Sequence, residues 1–340
     1  MAEKILVLGA TGALGKYMVP LLAQKGFKVD SVALDDSIFR HPGINHIKGD
    51  ARDILFRNEL FKNNYDGIVD FMVYNSADLA SMLMPVVNAA GHYIFVSSYR
   101  VYDGVETPTR ENSPRLLDNT KDVLFQNSDD YSIYKARGEN VLNSLLRKNW
   151  TIVRLAITYS LMRYQLVTLE APCTVGRAQL NKPVILPGSA RNIQATMSWA
   201  GDVAQMISRL LFNGKALGET FTVSTSEHHT WEEIAGFYQD ICNLKTIWVD
   251  QEDYLRCVVS NYELSPYTGR WQLIYDRLLN RVMDNSKVLG ATGLKQENMM
   301  KLYDGLKYEI SRTPKDFGQS VAGNPTNRSI DKYLADKGIS

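Results

Sequence analysis

The sequence predicts an α/β fold: a doubly wound parallel sheet followed by a smaller C-terminal substrate domain. Three observations predict it. Short apolar runs alternate with stretches of helical periodicity through the first half of the chain. A glycine-rich turn separates the first run from the first helical stretch. The alternation then loosens beyond residue 156, as expected where a different layer begins.

The elements follow in order. Residues 5–8 are a continuous apolar run, as a strand buried on both faces requires. The turn Gly9-Ala10-Thr11-Gly12-Ala13-Leu14-Gly15 comes next. Leu14, Met18, Leu21 and Leu22 then recur at helical spacing, and Gly26 stops the helix. Residues 29–34, 44–47 and 68–73 predict the second, third and fourth strands, and residues 79–90 a helix. Residues 93–96 predict a fifth strand, 129–147 a long helix and 151–155 a sixth strand.

Farther on, residues 182–188 predict a short strand between breakers, and residues 203–211 and 231–242 predict helices. Residues 219–223 predict a strand that returns to the main sheet. The expected division is a dinucleotide-binding domain over 1–156, with returning segments near 196–225, and a mainly substrate-binding part over 157–312. Residues 313–340 form a tail, rich in Gly, Pro, Asn, Ser and Lys, whose composition predicts partial disorder.

Composition excludes several classes. The chain has 340 residues, 38 basic and 37 acidic side chains and a net charge of +1. No basic excess exists to neutralise a phosphate backbone, so nucleic acid is not expected as a partner. Cys173, Cys242 and Cys257 lie far apart, and the five histidines show no ligand spacing, so neither a disulfide framework nor a metal site is expected. No apolar stretch reaches the ~18 residues of a membrane span. The first apolar run leads directly into the glycine turn, which leaves no signal peptide and predicts a cytoplasmic protein.

The glycine turn follows a strand and opens a helix, the context in which its pattern carries weight. Absent side chains let the backbone approach a pyrophosphate, and the helix N-terminus favours its negative charge. Gly9, Thr11, Gly12, Ala13, Leu14 and Gly15 are therefore the expected cofactor-binding residues of a Rossmann-type sheet. Asp35, past the second strand, is placed to bond the adenosine ribose and so to favour NAD; Arg40 nearby leaves NADP open. Asp50 follows the third strand and is expected either to reach the adenine or to serve a turn.

Tyr131, Lys135 and Glu139 recur every four residues, so they share one helix face. A tyrosine hydroxyl is a poor acid–base group at neutral pH unless a nearby cation favours its phenolate. Lys135 is that cation, and it could also hold the nicotinamide ribose. Ser98, which closes the fifth apolar run beside Ser97, would hydrogen-bond the reacting oxygen. Convergence of the three groups, rather than any one of them, defines a site.

These pieces, with Ser97-Ser98-Tyr99-Arg100-Val101-Tyr102 and Asp284-Asn285-Ser286-Lys287, resemble the extended short-chain dehydrogenase/reductase family over most of residues 1–300. The likeness is to its NAD-dependent nucleotide-sugar epimerase and dehydratase group. The resemblance implies Tyr131 as general acid/base, Lys135 as its electrostatic partner and Ser98 as the donor to the reacting oxygen. It also implies a seven-stranded sheet and a homodimer through a four-helix contact using the Tyr131 helix.

The loop after Ser98 narrows the chemistry. Family 4,6-dehydratases carry an Asp-Glu pair there, and sugar-acid decarboxylases a glutamate, whereas this chain has Tyr99 and Arg100. Hydride transfer with one proton relay remains: 4-epimerisation of a nucleotide sugar or, alternatively, reduction of a keto-sugar or other carbonyl. A non-catalytic scaffold, either a Rossmann-fold binding protein or an RNA-associated one, is the minor alternative. Residues 69–74 lack the small Ala-Ala ending usual in the family, so Met72 or Tyr74 is expected to crowd the cofactor side. The arginine that grips a substrate diphosphate is missing near Gln194-Ala195. Arg177 or Arg191, or Arg270 or Arg277 from the C-terminal part, are the expected substitutes, with Tyr99 as a further substrate contact. Trp199, Trp231, Trp248 and Trp271, four of the five tryptophans, are expected mostly to pack rather than to stack on sugar.

Overall fold

The computed structural model describes residues 2–259 and 268–339. The chain divides into two compact units. The first comprises Met1–Thr158, Ser198–Ser226 and Met283–Met299, the second Tyr159–Met197, Glu227–Val282 and Met300–Ser340.

In the first unit the apolar runs become β1 (Lys4–Leu8), β2 (Lys28–Ala33), β3 (Ile44–Lys48), β4 (Tyr65–Asp70), β5 (Ala90–Ser98) and β6 (Trp150–Leu155). With the returning strand Glu219–Val223 they form one seven-stranded sheet, ordered returning strand–β6–β5–β4–β1–β2–β3, with every pair parallel. The order reverses between β1 and β4, which opens a crevice at their C-terminal ends. Side-chain alternation explains why helices cover both faces. Ile5, Val7, Val69, Ile94 and Val153 enter one apolar core, and Leu6, Leu8, Ile68, Tyr93 and Ile152 enter the other. Each such fully buried large side chain contributes about 1.5–3 kcal/mol.

The helices of this unit include α1 (Gly15–Gln24), α2 (Ile54–Phe61), α3 (Met84–Ala89), α4 (Leu116–Asn119), α5 (Val123–Asn127) and α6 (Tyr131–Ser144). A π-helical turn, Leu79–Leu83, leads into α3. Two of the boundaries that differ from the periodicity have a side-chain cause. The fourth strand ends at Asp70 rather than at residue 73, because its buried carboxylate accepts the Met72 amide at 2.9 Å and the Tyr74 hydroxyl at 2.8 Å and turns the chain. Helix α6 begins at Tyr131 because Asp130 caps it, accepting the Ser132 amide at 2.9 Å.

The segment Met283–Met299 clusters with the first unit, whereas the sequence reading grouped it with the substrate-binding part. It is held through Asn285, whose amide donates to the Ser224 carbonyl, and Lys287, which reaches Glu219 and the Thr220 carbonyl.

The second unit contains a parallel pair, Val184–Pro187 with Thr246–Val249, and the helix Trp231–Cys242 with a reciprocal Thr230/Glu233 cap. The chain end corrects the expected disorder. Residues Pro325–Asp336 form a helix capped by Asn324. Ile330 and Leu334, one turn apart, are buried, and that apolar stripe orders a segment whose composition is polar.

Candidate active site

The glycine turn has the geometry a dinucleotide needs. Gly9 adopts φ +74°, in the left-handed region that favours glycine. The Gly12 amide donates back to the Gly9 carbonyl at 3.1 Å, which leaves Gly12 exposed at the tip. A Cβ on Gly15 would lie 2.1 Å from the Ala10 carbonyl oxygen, so only glycine lets α1 start this close to β1. Thr11 Oγ1 donates to Asp35 Oδ2 at 2.8 Å, which brings the carboxylate at the end of β2 to the turn. Asp50, on the exposed loop after β3, accepts the Arg52 amide at 2.8 Å, as a turn aspartate does. These residues fit an adenine dinucleotide: an open backbone cradle, a helix start behind it and a carboxylate beside it.

The exit of β4 replaces the small family residues differently from expectation. Tyr74 does not crowd the turn. It folds back at 2 % exposure into a buried cluster in which Tyr74 and Tyr93 both donate to Asp70 Oδ2 and Arg57 donates to the Tyr74 oxygen at 3.0 Å. Burial raises the Asp70 carboxyl above its ordinary range, more than these donors and the Arg57 charge lower it. Phe71 and Met72 instead stand over Gly9: a Cβ there would meet Phe71 Cβ at 3.3 Å and Met72 Sδ at 3.7 Å.

The proposed catalytic side chains come from β5 and α6. Gly138 lets the helix sit close on the sheet, since a Cβ there would fall 2.7 Å from the Phe95 ring. At this separation the buried Lys135 reaches the Val96 carbonyl with a 2.7 Å hydrogen bond. Its ammonium lies 5.7 Å from the Tyr131 ring centre. Ser98, at the end of β5, accepts the Arg100 amide at 3.2 Å, so its own hydroxyl proton is available to a ligand oxygen. The arrangement can hold a carbinol or carbonyl oxygen by donation and relay one proton.

Beneath these groups lies a buried ionic cluster. Ser97 donates to Glu139 at 2.5 Å, and Arg154 clamps both oxygens of that carboxylate at 2.9 and 2.7 Å. Arg115 adds a fourth hydrogen bond at 3.2 Å. Burial alone would push the Glu139 carboxyl up; the Arg154 charge and its hydrogen bonds, with Ser97 and Arg115, hold it below the ordinary carboxylate range. Sequence reasoning placed Glu139 on the active face without finding its partners. The signal was available, because Arg154 is a lone charge within an apolar strand.

The expected substrate contacts fare differently. Tyr99 is 2 % exposed, packed inward by the single turn Tyr99–Val101 that follows β5. Arg177 and Arg277 are buried and used within the second unit. Arg177 bonds the Pro183 carbonyl and Asp331, and Arg277 bonds the Val167 carbonyl, Asp276 and Gln165. Such charges are held by their partners and are not free to grip a diphosphate, which corrects the expectation for both. Arg191 is exposed, paired with Glu232, and lies 5.7 Å over the Trp248 ring. Among the described residues no cluster of His, Cys, Asp and Glu could hold a metal ion, and no helix is long and apolar enough to cross a membrane.

The geometry is that of a nicotinamide-dependent oxidoreductase or epimerase site on a Rossmann-type fold. Residues 5–224 match the model of the NAD dependent epimerase/dehydratase family, and the chain belongs to that family. Solved structures share the fold at low identity. UDP-glucose 4-epimerase from Thermus thermophilus, in complex with NAD, is 17% identical with a TM-score of 0.66, over 91% of this chain and 98% of that one. The dTDP-glucose 4,6-dehydratase of Bacillus anthracis, also in complex with NAD, is 17% identical with a TM-score of 0.68, over 95% and 98%. An epimerase from Methanothermobacter thermautotrophicus is 15% identical with a TM-score of 0.69, over 96% and 95%. No curated protein sequence matches the chain.

Proposed function

We propose that this chain is an NAD-dependent 4-epimerase of a nucleotide sugar. The observation that carries the reading is the grouping at the end of β5: Lys135 bonded to the Val96 carbonyl and 5.7 Å from the Tyr131 ring, with the Ser98 hydroxyl available as a donor. The residue two beyond Ser98 is Arg100, a permanent cation, where a dehydratase has the carboxylate that removes a second proton. The site therefore relays one proton and no more.

Bound NAD would supply reversible hydride transfer at the carbinol carbon, so that the cycle ends with no net oxidation. The turn from Gly9 to Gly15 would hold its pyrophosphate, and Thr11 and Asp35, bonded to each other at 2.8 Å, would face its adenosine ribose. Tyr131 accepts the carbinol proton and gives it back, Lys135 balances the phenolate charge, and Ser98 donates to the sugar oxygen throughout.

Mass identification of the nucleotide released on denaturation, followed by incubation with UDP-, TDP- and GDP-hexoses without added cofactor, tests this reading. The expected result is stoichiometric NAD and an equilibrium of C4 epimers in the proton NMR spectrum. Cofactor-free protein that consumes added NADH or NADPH with a keto-sugar would replace it with a reductase.

A further inference from the structure

We infer that Arg100 is a positioning residue for Tyr131, joining the serine loop to the start of the tyrosine helix. Three contacts of this residue and one cap on its partner connect the two segments of the first unit. Its amide donates to Ser98 Oγ at 3.2 Å. Its guanidinium bonds Asp130 Oδ1 at 3.3 Å. That same Asp130 oxygen caps α6, accepting the Ser132 amide at 2.9 Å and hydroxyl at 2.8 Å. The guanidinium carbon lies 5.2 Å from the centre of the Tyr131 ring, within cation–π range.

The side chain is placed to act and not merely to be solvated. Its relative exposure is 13%, and that of Asp130 is 10%, so the pair is screened far less than a surface ion pair. Tyr131 is the first residue of α6, where a helix end frays most readily. Tyr134 packs edge-on against the Tyr131 ring at 5.4 Å. Arg100 thus adds to Tyr134 a charged contact that ties the ring to the loop carrying Ser98. A planar guanidinium can pair with a carboxylate and cover a ring at once, which a smaller neutral side chain cannot. Swapping a carboxylate for a cation after Ser98 therefore does more than remove a base: it fixes the ring whose hydroxyl relays the proton.

The inference rests on the proposed role of Tyr131 but is tested apart from it. Arg100→Gln and Arg100→Lys are compared with the parent protein by NMR of ring-carbon-labelled tyrosine, with Tyr131→Phe assigning the resonance. The expected result is a Tyr131 signal that shifts and broadens in Arg100→Gln and returns only in part in Arg100→Lys, with unchanged NAD affinity. On whichever hexose is turned over, Arg100→Gln should lower kcat about tenfold at constant KM, as loss of positioning for proton transfer does. An unmoved Tyr131 signal in Arg100→Gln overturns the proposal, as does a rise in KM at constant kcat. If no hexose is epimerised by the parent protein, the proposed function fails while the NMR comparison still decides the role of Arg100.

Discussion

Lys135 donates a 2.7 Å hydrogen bond to the carbonyl of Val96 while its ammonium stands 5.7 Å from the centre of the Tyr131 ring. One lysine thereby fixes the spacing between β5 and α6 and places a positive charge beside the proton relay. Lys135→Met should remove both effects and Tyr131→Phe only the hydroxyl. Each should lower turnover by about 10²–10⁴-fold, and only Lys135→Met should also lower the melting temperature. Calorimetry beside an epimerisation assay separates the two, and Lys135→Met with near-parent turnover would sink the assignment.

The glycines of the turn divide into packing and ligand positions. A Cβ on Gly15 would overlap the Ala10 carbonyl at 2.1 Å, backbone against backbone. Gly15→Ala should cost about 1–3 kcal/mol of stability with or without cofactor. Gly12 is exposed at the tip, and a Cβ there would sit 3.2 Å from the Gly9 oxygen, which a small shift relieves. Gly12→Ala should keep its melting temperature and lose NAD affinity, read by titration calorimetry. The reverse pattern would mean that the roles are exchanged.

Much of this was legible in the sequence because it depends on short-range patterns. Continuous apolar runs require a sheet buried on both faces, and the glycine turn and the four-residue spacing of Tyr131, Lys135 and Glu139 are local. What escaped depends on partners distant in sequence. Arg177 and Arg277 read as candidate phosphate ligands until Asp331 and Gln165 are seen beside them. Tyr74 read as an obstruction until Asp70, Tyr93 and Arg57 were found to draw it into the core. The chain end read as disordered because it is rich in Gly, Pro, Asn, Ser and Lys, yet the large apolar side chains of Phe317, Ile330 and Leu334 are buried.

Glu139 should matter for stability more than for cofactor binding. Its carboxylate is fully buried, with Ser97, Arg154 and Arg115 around it. Glu139→Ala leaves the Arg154 charge buried and uncompensated, at a cost of about 3–5 kcal/mol. The folded carboxyl lies below its ordinary range, so its contribution is present above the unfolded value and is lost only as pH falls through the lower folded one. Urea unfolding at neutral pH measures the cost, and a change under 1 kcal/mol would show that the cluster behaves as an exposed one does.

Acid should weaken the fold earlier than the carboxylates do, through His92. Nδ1 of this buried ring accepts the Phe212 amide at 2.9 Å, and its Nε2 lies 2.8 Å from Thr151 Oγ1. The Thr151 hydroxyl donates to the Ala216 carbonyl, so its oxygen accepts from Nε2–H and the ring is neutral. A second proton would have to enter at Nδ1 and break the Phe212 bond. Burial accordingly lowers the His92 pKa to about 4 from an ordinary 6.5. The unfolded chain binds the proton first, so stability is complete above pH 6.5, falls as pH drops toward 4 and levels below it. At about 1.4 kcal/mol per pH unit, the loss between pH 7 and pH 5 should be about 2 kcal/mol. Urea unfolding at both values, on the parent protein and on His92→Gln, isolates this contribution. The variant should start less stable and show the flatter dependence; equal slopes would assign the acid sensitivity to other groups.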